Sequence, residues 1–438
     1  MAAALVYGKQ GCALSLSLVY LVIFLGTSLC DRKLTTTYNP GCNISACLPN
    51  FNGSALNIAY VKAESENDTL HYLFSSVGVP SVLVLKTDPG SGNAIHIDWE
   101  SLVSENQTLP GAVSCSQKVL YSFGVAFTKL FEYNDTSDKA NMMFNDDVEE
   151  GVVHKFESFL WDAIVDHDKD AKLNTVIFNT SVSMENSTSF MNGSLSLKFT
   201  VFNHTGRTQD ALPHLLYNDN ITQLDFTLNK ISPLYKQSRF GLEVVVLSED
   251  SPSSVPTDFH TEQSIDDEYT PGVFKVTNWV TNKAEKKDEG FIQWKPVCYV
   301  RPSRSRSDAT YVRTYTLMYK EQDTNRSLPQ LEETILYAYY GQKLSEYKLA
   351  MTLSNVSFGL SKDGFYTASN YTVWTANIGY GSPPIDSVSL LVIGIISAGL
   401  GLPVLIIMFG GIYVCVKKKK KGTTTQVDVG PGYSSVNS

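Results

Sequence analysis

The chain is 438 residues long, more than one ordinary domain of ~100 to 200 residues needs. With 43% hydrophobic and only 18% charged residues it cannot be a disordered polymer, so it buries a core. Lys plus Arg number 35 against 44 Asp plus Glu, a formal charge of -9, which is the wrong sign for neutralising phosphates; no nucleic-acid partner is expected.

In residues 1–30 a single early cation, Lys9, precedes the apolar run CALSLSLVYLVIFLGTSLC, which closes on small residues before Asp31. This is the layout of a secretory signal cleaved after Ser28 or Cys30, with a retained signal anchor as the alternative. Four cysteines follow, Cys42, Cys47, Cys115 and Cys298, and in an oxidising compartment they allow three pairings. The simplest joins Cys42 to Cys47 in a small loop and Cys115 to Cys298 across distant parts of the chain. No CxxC spacing suggests a zinc site.

The sequence Asn-x-Ser/Thr occurs at Asn43, Asn52, Asn67, Asn106, Asn134, Asn179, Asn186, Asn192, Asn203, Asn220, Asn325, Asn355 and Asn370. So many acceptors in an exported chain predict a heavily N-glycosylated surface, with every used site exposed. The sugars would also screen the backbone from proteases.

The periodicity of this part is mostly two. SLSLKFTVF sets Leu195, Leu197, Phe199 and Val201 on one face against Ser196, Lys198 and Thr200, and TQLDFTLNK repeats the pattern through Leu224, Phe226 and Leu228. Similar runs, separated by Gly, Pro, Asn and Ser, recur without alternating helices, which predicts an all-β ectodomain of antiparallel sandwich-like subdomains. One segment, GVVHKFESFLWDAIVD at 151–166, carries Val152, Phe156, Phe159 and Ala163 at helical spacing, although a strand with Trp161 inward is also open. The part between signal and span exceeds one ordinary sandwich. The polar SEDSPSSVPTD at 248–258 therefore divides it into subdomains at 31–250 and 251–386.

The second apolar stretch, 387–416, is uncharged and longer than the ~20 residues that cross a bilayer. Asp386 stands before it and Lys417, Lys418, Lys419, Lys420 and Lys421 after it, so the positive-inside rule puts the tail, 417–438, in the cytosol. The expected result is a single-pass type I membrane protein. Gly394 with Ala398, and Ser397 with Gly401, are small residues four apart, a spacing that lets a partner helix approach but is also common in membrane helices. Pro403 is expected to kink the helix and Cys415 lies where palmitoylation occurs. In the tail, Gly432, Tyr433 and Val436 form a Gly-Tyr-x-x-Φ address, whose aromatic and aliphatic side chains would fill two pockets of a clathrin adaptor and direct the protein to lysosomes.

Catalytic patterns are missing: GxSxG, HExxH, a Walker loop and GxGxxG do not occur. DAIVDHDKD gathers Asp162, Asp166, His167, Asp168 and Asp170 but has neither the EF-hand glycine nor its closing glutamate, and reads as a solvated acidic turn. Asp266, Asp267 and Glu268 of SIDDEY could supply a carboxylate pair, yet neighbours in one strand point to opposite faces. His71, His96, His154, His167, His204, His214 and His260 share no ligand-like spacing. No catalytic residue, cofactor site or metal site is nominated, and no enzyme is expected. A membrane-anchored hydrolase of unfamiliar type and a cell-surface adhesion receptor are the alternatives.

Five strings resemble the glycosylated lysosomal membrane protein family: TLHYLFSSVG from Thr69, FGLEVVVL from Phe240, SIDDEYTPGVF from Ser264, QWKPVCY from Gln293 and SPPIDSVSLLVIGI from Ser382, together with the terminal YSSV. The resemblance implies a non-enzymatic accessory subunit in the lysosomal membrane. Its partner would be a multi-pass lysosomal transporter of the major facilitator superfamily that exports dipeptides. The glycosylated ectodomain would cover the transporter's luminal face and protect it from proteolysis.

Overall fold

Alternation becomes structure most plainly in the strand Ser194–Phe202, where Leu195, Leu197, Phe199 and Val201 are fully buried and Lys198 is exposed. The computed structural model describes residues 31–421 apart from 48–56, 91, 93, 104–109, 143–150, 168–172, 181–189, 191, 250–257, 265–268, 282–288, 319–330 and 347. In chain order the strands are β1 Lys33–Tyr38, β2 Ile58–Glu64, β3 Thr69–Ser75, β4 Ser81–Thr87, β5 Ile95–Ile97, β6 Val113–Cys115 and β7 Val119–Asn134. There follow β8 Gly151–Lys155, β9 Asp162–His167, β10 Leu173–Thr180, β11 Ser194–Phe202, β12 Gly206–Arg207, β13 Leu216–Tyr217, β14 Ile221–Asn229 and β15 Ser238–Ser248. The last are β16 Asp258–Gln263, β17 Lys275–Val280, β18 Gly290–Trp294, β19 Val297–Tyr299, β20 Ala309–Met318, β21 Ala350–Phe358 and β22 Tyr371–Tyr380.

Two antiparallel layers result. One runs β1-β2-β3-β4-β7-β15-β21-β20, with β8 pairing the second half of β7. The other runs β9-β10-β11-β14-β22; the far edge of β22 is shared by β18 and β19, and β18 continues into β17 and β16. Strand β20 pairs first with β19 and then with β21, so it turns the corner between the layers. The antiparallel all-β reading of the sequence holds.

Aromatic rings fill the space between the layers. Phe199 of β11 lies 5.0 Å from Phe74 of β3 and 6.2 Å from Phe127 of β7, and Phe226 of β14 stacks on Phe358 of β21 at 5.5 Å. Each such pair adds about 0.5–1.5 kcal/mol beyond the area it buries. The outer face of β7 is capped by the short helix Ile335–Tyr340, which approaches so closely that a Cβ on Gly124 would come within 2.5 Å of Leu336.

The expected division at 250/251 does not separate the layers. Central β15 of the first layer pairs with β21, and β14 of the second pairs with β22, so segments from both sides of 250 interleave. Residues Met1–Ile385 cluster as one unit, and 250–257 lie outside the described residues. The segment 151–166 is not a helix but β8, a 3-10 turn at Phe156–Ser158 and β9. Its helical spacing reflects a knot of edge-to-face rings: Phe156 and Trp161 at 5.4 Å and Phe156 and Phe159 at 5.8 Å, closed by the Trp161 indole N–H donating to the Phe156 carbonyl at 3.1 Å.

The second unit is the helix Leu390–Lys421, capped by the Ser389 hydroxyl accepting from the Val392 N–H, with Pro403 inside it. Its stretch Leu390–Lys418 is apolar and long enough to cross a membrane. Gly394, Ser397, Ala398 and Gly401 all lie on it. The helix starts three residues later than the apolar run, after the helix-incompatible pair Pro383 and Pro384 and their extended neighbours.

Candidate functional site

The sugar-acceptor asparagines fall into three groups. Asn43, Asn67, Asn192 and Asn370 are exposed at turns: inside the Cys42–Cys47 loop, between β2 and β3, before β11 and before β22. Asn134, Asn179, Asn203 and Asn220 are half-buried at or near strand ends. At Asn220 the side-chain oxygen accepts from Arg32 at 2.7 Å and 3.2 Å, a bond that a sugar on the nitrogen would leave intact. Asn355 differs from all of these. It sits mid-strand in β21 between Glu243 of β15 and Tyr315 of β20, only 1% exposed, and neither its amide nitrogen nor its oxygen has a hydrogen-bond partner among the described residues. Asn52, Asn106, Asn186 and Asn325 lie outside the described residues, as do Gly432, Tyr433 and Val436 of the tail.

Cys42 and Cys47 are bridged, with Cα atoms 6.4 Å apart. The second expected bridge is not made. Cys115 ends β6, which pairs only with β5 in a small sheet of its own, whereas Cys298 is fully buried in β19 between Thr310 of β20 and Trp374 of β22. Burial pushes both thiols up, Cys298 most strongly, so neither is an activated nucleophile.

The densest charge centre is one the sequence reading passed over. Arg239 of β15 is 2% exposed and forks to three carboxylates: Asp135 at 2.7 Å, Asp138 at 2.8 Å and Asp363 at 3.0 Å. It also donates to the Leu360 carbonyl at 2.7 Å and lies over the Phe365 ring. Burial works against its charge, but the hydrogen bonds it donates to Asp135, Asp363 and Asp138 outweigh it and raise its pKa. Arg239 thereby clasps the chain after β7 and the chain after β21 onto the middle of the first layer. A cavity of about 160 Å³ opens beside it, lined also by Cys298, Tyr366 and Thr310. Arginine at the head of the apolar strand RFGLEVVVL was the available signal, since an ionisable residue rarely enters such a strand without partners.

Two histidines are buried among the described residues. His71 of β3 bonds Tyr60 at 2.7 Å and Thr87 at 3.0 Å, and burial, helped by Lys62, lowers its pKa to about 4. His154 of β8 stands 3.5 Å from the Glu132 carboxylate, whose other oxygen accepts from Leu234 N and Ser238 Oγ. Asp162, Asp166 and His167 are spread along β9, while Asp168, Asp170, Asp266, Asp267 and Glu268 lie outside the described residues. Among the described residues no group of three or more His, Cys, Asp or Glu side chains could hold a metal.

Fold and site thus define a β-sandwich unit studded with sugar-acceptor sequences and followed, among the described residues, by one apolar helix long enough to span a membrane. Residues 57–421 match the family described as glycosylated lysosomal membrane protein. The chain is 31% identical to glycosylated lysosomal membrane protein B of Xenopus laevis over 93% of each chain. It is 32% identical to the glycosylated lysosomal membrane protein of Danio rerio, covering 90% of this chain and 91% of that one. To the Homo sapiens protein of that name it is 29% identical over 85% of this chain and 87% of that one. The chain belongs to the glycosylated lysosomal membrane protein family.

Proposed function

We propose that the protein is a non-enzymatic accessory subunit of a multi-pass lysosomal transporter of the major facilitator superfamily, of the kind that exports dipeptides. The ectodomain faces the lumen, covers the transporter and shields it from proteolysis. The tail faces the cytosol, where Tyr433 and Val436 engage a clathrin adaptor. What carries this reading is the division of mass: a large β ectodomain on a single apolar helix. One helix encloses no path across a membrane, so any transport belongs to a partner. The turn-borne acceptors Asn43, Asn67, Asn192 and Asn370 suit a sugar coat facing a protease-rich lumen.

The deciding experiment removes this chain and follows the lysosomal membrane proteome. One multi-pass protein should fall in abundance, be degraded faster and copurify with this chain in mild detergent. Unchanged levels of every multi-pass protein would defeat the accessory role.

A further inference from the structure

Between Asn220 and Asn325 the chain carries no Asn-x-Ser/Thr sequence, and this stretch supplies β14 to β20. Within it a groove of about 300 Å³ lies between β20 and the β16–β17 hairpin. Residues 311–315 of β20 all line it, Tyr311, Arg313 and Tyr315 alternating onto one face; Thr261 and Thr277 line it from the hairpin, Trp294 from β18, and Pro296 and, from outside the stretch, Asn141 complete the wall.

Three observations indicate what the groove takes. First, one edge of β20 is open. The Val312 N–H donates to the Pro296 carbonyl while the Tyr311 carbonyl accepts from Gly359, so β19 and β21 flank opposite edges. Strand β19 pairs only as far as Tyr311, and beyond Val312 no strand among the described residues covers that edge. Second, the one charged side chain among the described residues lining the groove is a cation, Arg313. Arg313 donates to the Ala140 and Lys139 carbonyls but meets no carboxylate among the described residues, and the exposed Lys275 lies two residues from Thr277 on the same face of β17. Third, a donor is unused: Trp294 is 1% exposed and its indole N–H has no partner among the described residues.

We infer that this groove receives an extended, acidic segment of a partner polypeptide, which adds as a strand to the open edge of β20 and sets a carboxylate on Arg313. Main-chain bonds to an open edge supply affinity in such additions, and side-chain pockets supply selectivity. The guanidinium, which meets backbone carbonyls but no carboxylate among the described residues, gives the preference for acidic residues. The sugar-free sequence around the groove leaves the approach clear. The inference rests on the proposed function only in requiring a partner protein that faces the ectodomain.

The test places a photo-crosslinking phenylalanine at position 311 of the full-length chain in its own membrane, with position 198 on the exposed face of β11 as control. Irradiation should link position 311 to an acidic segment of another protein several-fold more than position 198. Arg313→Glu should abolish the link and Arg313→Lys should keep it. Should Arg313→Glu fail to mature its glycans, Arg313→Gln replaces it, with the same expected loss. Links no stronger than at 198, links to lipid, to a second copy or within the same chain, or a yield indifferent to the charge at 313 would each overturn the groove assignment. Partner abundance separates the two readings. If it still depends on this chain while the link is absent, the groove fails and the accessory role stands; the reverse outcome defeats the accessory role alone.

Discussion

Ten of the thirteen sugar-acceptor sequences precede Ile221, and the next hundred residues hold none. The first region builds β1 to β13, where the described acceptors sit at turns and strand ends; the second builds β14 and β16 to β19 of the second layer and, in the first layer, central β15 and the corner strand β20. Part of this contrast is geometric. Strand β15 is paired on both edges and buried along its length, so it has no place for a sugar. That reason fails at β20, where Tyr311 and Arg313 are accessible and still no acceptor occurs. Where exposure permits a sugar and the sequence withholds one, the bare surface is informative.

The strongest way to break the contrast is to cut the clasp that joins the two regions. Asp135 and Asp138 follow the acceptor Asn134, whereas Arg239 and Asp363 belong to later sequence. Replacing Arg239 by Met strands a cluster of carboxylates and should cost about 3–5 kcal/mol, read as a fall in the unfolding midpoint of the detergent-solubilised chain. A loss below about 1 kcal/mol would mean that the two regions are held together mainly by the aromatic core.

A smaller effect belongs to the first region alone. His71 has its pKa lowered from 6.5 to about 4, so between these values the unfolded chain binds a proton that the folded chain refuses. The corresponding stability is complete above about pH 6.5 and declines as pH falls, by on the order of 3 kcal/mol near pH 4. Stability measured from pH 7 to pH 4 should show this slope, and His71→Gln should flatten it. An unchanged slope in the variant would assign the acid sensitivity to other groups.

Strand content was legible because alternation such as Leu195, Leu197, Phe199 and Val201 has one physical meaning in a half-buried sheet. The Cys42–Cys47 loop was legible because five residues bring two cysteines within reach. Layer order was not, since the pairing of β14 with β22 and β15 with β21 is set by contacts more than a hundred residues apart, which no local pattern encodes. The same distance hid the Arg239 clasp, and it made the break at 248–258 look like a boundary between subdomains. At 151–166 two periods competed, and rings packed around a tight turn imitated the spacing of a helix.

The finest test contrasts two acceptors rather than two regions. Asn67 is exposed in the β2–β3 turn, so Asn67→Gln should remove one glycan and quicken gel migration. Asn355→Gln should leave migration unchanged, because a sugar at a 1% exposed position in the middle of β21 would have to displace either β15 or β20. The amide of Asn355 is moreover unsatisfied on both polar atoms. Replacement by Leu, close to it in shape, exchanges an unpaired buried amide for an apolar group and should raise stability by about 1–3 kcal/mol. Sugar found at Asn355 in the mature protein, or a destabilised Asn355→Leu chain, would show that β21 is not sealed between its neighbours. The reason offered for the bareness of the inner strands would then fall, and only the open edge of β20 would still call for an explanation.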